Sequence, residues 1–188
     1  MGLYKHLVSK WQEDGMPADL KRERLIAWRR EAATTRLERP TRLDKARALG
    51  YRAKQGIFVV RQRLTRGSHR REDWSGGRHS HNMGARLNLH KNYQAIAEVR
   101  ANKAHRNCEV LNSYYVAEDG KNYWYEVILA DRTNPSVLAD KRSAWVGTKQ
   151  GRAFRGITSA GRKHRGLRHK GKGVEKARPS RRAHNRSL

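Results

Sequence analysis

His69, His79, His81 and His90, with Cys108 further along, are the side chains in this sequence whose types suit a metal ion, and SHN at 80 to 82 invites a metal-dependent nuclease reading. Their spacing argues against it. No CxxC or HxxxH pair is present, and the nearest acids, Glu72 and Asp73, follow two arginines, whereas zinc-type sites draw on closely spaced ligand pairs. The histidines read instead as polar, partly cationic groups in a basic loop. There is no phosphate loop of the GxxxxGKS or GxxxxGKT kind, no GxSxG elbow and no carboxylate pair in an apolar setting. The expectation is a protein that is not an enzyme and uses no cofactor, metal or small-molecule substrate.

The chemistry that is present is cationic. Lys and Arg number 43 against 17 Asp and Glu, for a formal net charge of +26. Such a charge needs a polyanion, either nucleic acid or an acidic membrane surface. The membrane reading lacks a basic helix with a broad apolar face. The cations are grouped: residues 39–71 interleave them with glycines and Tyr51, and residues 151–188 carry thirteen Lys or Arg against the single acid Glu175. Arginine dominates, and its planar fork suits phosphate oxygens and base stacking better than a point charge.

The stretch Gly151–Gly173 places glycines at 151, 156, 161, 166 and 171 among eight cations. A period of five fits neither helix nor strand. With its entropy cost and self-repulsion such a chain should stay unfolded in isolation, so its order must come from elsewhere. Extended at roughly 3.3 Å per residue, the tail reaches on the order of 100 Å. The competing reading is a disordered cationic tail that binds any polyanion.

The elements that must position these cations are few. Leu, Ile, Val and Phe make up 32 of 188 residues, which supports one modest domain. All Trp and Tyr precede residue 146, so the core lies upstream of the tail. Leu25, Trp28 and Ala32 predict a helix over 18–38, ended by Pro40. Residues 56–64 alternate as a strand, with Phe58, Val60 and Leu64 on one face and Ile57, Val59, Arg61 and Arg63 on the other. Apolar periodicity then lapses from 65 to 91, a loop long enough to be functional or disordered, before a helix over 92–105.

Asp119-Gly120 predicts a two-residue hairpin turn, pairing Glu118 with Lys121, Val116 with Tyr123, Tyr114 with Tyr125, Asn112 with Val127 and Val110 with Leu129. Its second face carries Tyr115 beside Trp124. Packing against protein is the reading adopted for that face, with base stacking as the alternative. The chain divides into an N-terminal helical and basic arm (1–50), a core (51–65 and 92–150), a basic loop inserted in it (66–91) and a basic glycine-rich extension (151–188). The fold class expected is α+β: an antiparallel sheet with packed helices, plus long basic extensions.

Cys108 stands alone, which suits a structural thiol in a reducing compartment. No apolar run has the length of a signal sequence or membrane span. A soluble, cytosolic protein without a membrane partner is expected.

RPTRLDKARALGYRAKQGIFVVRQRLTRG at 39–67, together with YKHLVSKW at 4–11, VLNSYYVAEDGKNYWYEVILAD at 110–131 and FRGITSAGRKHRGLRHKGKG at 154–173, resembles the archaeal and eukaryotic large-subunit ribosomal protein family numbered fifteen of the eukaryotic type. The blocks run in family order across almost the whole chain, and GKGVEKARPS gives an archaeal cast. The chain departs from the pattern at Asp131-Arg132, reaching Pro135 later, and at Glu72 and Asp73, which interrupt a basic stretch.

The resemblance implies a structural constituent of the large ribosomal subunit, in the cytoplasm, whose partners are large-subunit ribosomal RNA and neighbouring ribosomal proteins, with extensions ordered by RNA. It implies RNA contacts from Arg39, Arg42, Lys45, Arg47, Arg52, Lys54, Arg61, Arg63, Arg66, Arg70 and Arg71, and from Arg155, Arg162, Lys163, Arg165, Arg168, Lys170 and Lys172. A non-ribosomal DNA-compacting protein is the alternative, and a nuclease the third class.

Overall fold

The computed structural model describes residues 2–69, 73, 75–77, 87, 89–169, 171, 173–177 and 179. In chain order the elements are α1 (Leu3–Glu13), α2 (Ala18–Arg30), β1 (Thr34–Leu37), α3 (Leu43–Ala48), β2 (Ile57–Thr65), α4 (Tyr93–Ala104), β3 (Cys108–Glu118), β4 (Asn122–Asp131), α5 (Pro135–Ala139), α6 (Trp145–Thr148) and α7 (Ser159–His164). The strands form one antiparallel sheet in the order β1-β2-β4-β3.

Both faces of the sheet are covered, because successive strand side chains point to opposite sides and each side meets a helix. On one face Val60, Leu64, Val110, Val127 and Leu129 pack with Ala97 and Ala101 of α4. On the other, Ile57, Val59, Trp124 and Ile128 pack with Leu25 and Trp28 of α2, Ala46 of α3, and Val137 and Val146 of the short helices α5 and α6. The central strands β2 and β4 are therefore buried almost along their length. The expected α+β class, an antiparallel sheet with packed helices, is what the structure has.

The predicted helix over 18–38 is two elements. α2 stops at Arg30, Glu31 is extended, and Thr34–Leu37 pairs with Val59–Gln62 as an edge strand. Two consecutive β-branched threonines favour that outcome, and the Thr34 hydroxyl donates to Gln62 Oε1 at 2.6 Å. Leu25 and Trp28 are buried as expected, but Ala32 lies beyond the helix and is exposed.

The hairpin is in the predicted place with a shifted turn. Glu118 pairs with Tyr123 rather than Lys121, and Asp119 caps the turn by accepting from the Lys121 and Asn122 amides at 2.7 and 2.6 Å. Two irregularities, between Tyr115 and Ala117 and between Val110 and Asn112, each absorb one residue, so Val110 returns opposite Leu129. In between, Tyr114 faces Glu126 and Tyr115 faces Tyr125. Trp124 is 1% exposed and lies 6.0 Å from the Trp28 ring, so it is core; Tyr115 on the other face is 44% exposed.

The first half of the glycine-rich extension packs on the domain. The Glu109 carboxylate accepts from the Gly151 and Arg152 amides at 2.5 and 3.2 Å, and Arg152 donates to the Val110 carbonyl at 2.6 Å. Thr158 caps α7 by accepting from the Gly161 amide at 3.1 Å, and its hydroxyl donates to Glu98 of α4 at 2.5 Å. Asn92, the cap of α4, donates to the Ala160 carbonyl at 3.2 Å. A Cβ on Gly161 would sit 2.6–2.9 Å from Gly156 backbone atoms. The five-residue glycine spacing thus lets two backbone segments touch. For residues 151–166 the order sought elsewhere by the sequence reading is supplied in part by α4 and β3.

Candidate nucleic-acid interface

Two arginine-rich segments are seated on the domain by buried carboxylates. Beneath residues 39–42, both Glu126 oxygens accept from the Thr41 amide, at 3.2 and 3.1 Å, and the Tyr114 hydroxyl donates to the same carboxylate. Beneath residues 151–161, Glu109 and Glu98 play the equivalent part. Burial pushes the Glu126 and Glu98 carboxyls above their ordinary range, against the hydrogen bonds that favour their charged forms. Burial and the facing Glu126 likewise push the Tyr114 phenol up, so it stays a donor. The chain thus uses scarce acids inside, Glu126 and Glu109 to hold backbone amides and Glu98 to hold the Thr158 hydroxyl, and leaves many of the cations on these segments facing water.

Of the residues expected to touch RNA, Arg39, Lys45, Arg155, Arg162, Lys163 and Arg168 are exposed, and among the described residues none of them pairs with a carboxylate. Arg162 and Lys163 stand together in the last turn of α7. Arg52 is half-buried beside a groove between α1 and α3. Several others are held by the protein. Arg42 pairs with Asp44 at 2.9 Å and lies 4.7 Å over the Trp11 ring. Arg47 lies 5.3 Å from the Tyr4 ring, Lys54 pairs with Asp140 at 2.7 Å, and Arg165 donates to the Gly156 and Pro179 carbonyls at 3.1 and 2.9 Å.

Strand β2 turns its cations to structural work. Arg61 is 7% exposed, bonded to Glu31 and 4.3 Å over the Trp28 ring. Arg63 donates to the Arg29 carbonyl at the end of α2, where free carbonyls favour a cation. The face read as ending basic is therefore covered by α2. Arg61→Ala is expected to lower stability by about 2 kcal/mol and to leave the salt dependence of RNA binding unchanged. Urea denaturation and a salt titration check both; unchanged stability with a shallower salt slope would make Arg61 a phosphate contact instead. Arg66, exposed at the strand end, donates to the Asp119 carbonyl at 3.0 Å and the Tyr123 hydroxyl at 2.7 Å.

Arg70, Arg71, Lys170 and Lys172 lie outside the described residues, as do His79 and His81. Among the described residues no three His, Cys, Asp or Glu side chains gather as metal ligands. Cys108 is buried and its thiol is pushed up to about 11, chiefly by burial, so the reactive thiolate is scarce at neutral pH. No helix among the described residues is long and apolar enough to cross a membrane. Two further exposed cations were not evident from the sequence, Lys91 just before the α4 cap and Arg100 on α4; for Arg100 the available signal was that it falls at a position the apolar spacing of that helix leaves free.

The structure is a small α+β domain that seats two arginine-rich segments on buried acids and turns cations outward. The chain belongs to the family described as Ribosomal L15, whose model matches residues 2–184. Among curated proteins it is 52% identical over 186 residues to the large ribosomal subunit protein eL15 of Methanocorpusculum labreanum, covering 97% of this chain and 95% of that protein. It is 50% identical over 188 residues to the eL15 of Methanocella arvoryzae, covering 97% and 96%, and 49% identical to that of Methanospirillum hungatei, covering 96% and 95%. The relatives are archaeal, in line with the resemblance read from the sequence.

Proposed function

We propose that the chain binds large-subunit ribosomal RNA through the exposed cations of residues 39–54 and 151–168, and that neighbouring ribosomal proteins share the site. It is a structural constituent of the large ribosomal subunit, working in the cytoplasm within the ribosome, as its family and its near-full-length eL15 relatives support. The role of the family is structural rather than enzymatic. The observation that carries the RNA-contact reading is the division of charge: Glu98, Glu109 and Glu126 are buried under the backbone of the two basic segments, while Arg39, Lys45, Arg155, Arg162, Lys163 and Arg168 face outward.

Phosphate contacts of this kind release counterions, with a log–log salt slope of about −0.7 to −0.9 per phosphate. Changing Arg155, Arg162, Lys163 and Arg168 together to alanine is expected to make the slope shallower by about 3 without lowering the melting temperature, since all four are exposed. The measurement is affinity for large-subunit ribosomal RNA and for random-sequence DNA across a salt series. Retention of the RNA at salt that releases the DNA is the expected result. Release of both together would mean that the chain behaves as a generic polycation, preference for the DNA would favour the DNA-compacting alternative, and an unchanged slope in the variant would remove these four residues from the interface.

A further inference from the structure

A cavity of about 500 Å³ opens at the root of the basic loop, where β2 ends and α4 begins. Its size falls in the class that takes small organic ligands, about 300–1,000 Å³. Its wall has two components. Arg66, Lys91 and Arg100 supply cations, and His69, His90 and Tyr93 supply rings; among the described residues no acid lines it. The His69 and His90 rings stand 6.3 Å apart, centroid to centroid. Tyr93 is fixed in place, its hydroxyl accepting from the Gly67 amide at 2.9 Å and donating to the Gly67 carbonyl at 2.8 Å.

An aromatic row leads out of this cavity. Tyr93 stacks on Tyr123 at 4.8 Å, Tyr123 lies 6.4 Å from Tyr125, and Tyr125 lies 6.0 Å from the exposed Tyr115. The Arg66 guanidinium covers the Tyr123 ring at 4.6 Å, and Glu118, near the outer end of the row, is 3.9 Å from the same guanidinium. Half-exposed rings beside a wall with three cations fit a ligand that is flat and apolar on its faces and negative at its edge.

We propose that the cavity receives one unpaired nucleotide of the bound RNA, with its base stacked on the His69, His90 and Tyr93 rings and its phosphate held by Arg66, Lys91 and Arg100. The next base of the strand then meets the tyrosine row. This rests on the RNA-binding reading above and deepens it by naming what kind of RNA feature the site takes. A duplex cannot satisfy the cavity, because its bases are stacked inside and only its phosphates reach the wall; RNA loops and ends present splayed bases to aromatic side chains.

The test uses the full chain and two probes, a short oligoadenylate and a blunt-ended RNA duplex. Both imidazoles are exposed, so a His69→Ala, His90→Ala double variant keeps its fold. It is expected to bind oligoadenylate about tenfold more weakly, with an unchanged salt slope and unchanged duplex affinity. An equal loss on both probes reduces the cavity to a phosphate patch and overturns the proposal, as does no loss on either. Failure of the unaltered chain to prefer ribosomal RNA over DNA is a separate outcome that sinks the parent reading. Ultraviolet crosslinking of the unaltered chain to oligoadenylate, read by mass spectrometry, supplies a second measurement: adducts at His69, His90 or Tyr93 are expected, and adducts confined to other segments would overturn the assignment.

Discussion

Gly161→Ala is expected to undock the C-terminal extension, although alanine is the better helix former. At an unconstrained helical position the exchange stabilises by about 1 kcal/mol. Here the added Cβ would meet the Gly156 carbon and oxygen atoms at 2.6–2.9 Å. These are backbone atoms, which cannot rotate away as a side-chain tip can, and Gly156 has no slack of its own, since its φ of 61° belongs to the left-handed region and its amide bonds the Ala153 carbonyl. Overpacking of this kind costs about 1–3 kcal/mol, enough to reverse the sign. Hydrogen exchange should show protection lost across residues 158–166 and kept in β2 and β4. Gly120→Ala, where the new Cβ meets nothing within 4 Å, is the control and should be neutral. A Gly161→Ala protein that is more stable and equally protected would mean that α7 does not pack on residue 156.

The contrast between what the sequence revealed and what it hid has a physical basis. The hairpin, α4 and β2 were legible because their side chains repeat with the period of the element and because Asp119-Gly120 marks a turn. The hairpin register was not legible. Two one-residue irregularities near Leu111 and Val116 leave no local signature, and they decide that Glu126 rather than Tyr125 faces Tyr114. β1 was hidden because Ala32 continues the spacing of Leu25 and Trp28 by coincidence, while the pairing that makes Thr34–Leu37 a strand comes from β2, some 25 residues later.

The interface was legible as composition and obscure as geometry. Cation runs pointed to residues 39–71 and 151–188, yet a run does not say which guanidinium groups turn inward. Arg61 and Arg162 are indistinguishable by type, and only the packing of α2 over β2 separates a buried partner of Glu31 from an exposed cation on α7. The three glutamates that seat the basic segments were missed for a related reason. Each lies on α4, β3 or β4 among apolar neighbours, where a lone acid reads as a solvated position until the segment that covers it is known. The tail was judged by its own composition, and composition cannot register that Thr158 and Gly161 are complementary to Glu98 and Gly156.

Glu98 is the residue on which that complementarity converges, and its removal is expected to have the largest effect in the molecule. It is 0% exposed and accepts at 2.5 Å from the Ser113 hydroxyl of β3 and at 2.5 Å from the Thr158 hydroxyl, joining helix, sheet and tail. Glu98→Ala strands two buried hydroxyls and leaves a void, at a cost of about 3 kcal/mol or more. Glu98→Gln keeps the volume and isolates the charge. Burial raises the carboxyl above its ordinary value, opposed by the Ser113 and Thr158 hydrogen bonds and by Arg152, so between the unfolded and folded values the native state holds the proton more tightly. A raised acid contributes stability that is full below the unfolded value and is lost as pH rises through the folded one. The stability of the unaltered chain relative to Glu98→Gln should therefore decline as pH rises out of the ordinary carboxylate range, then level off. Denaturant melts of both proteins across that range measure it. Parallel curves would mean that Glu98 titrates alike in both states, and that the tail is seated by a carboxylate that water still reaches.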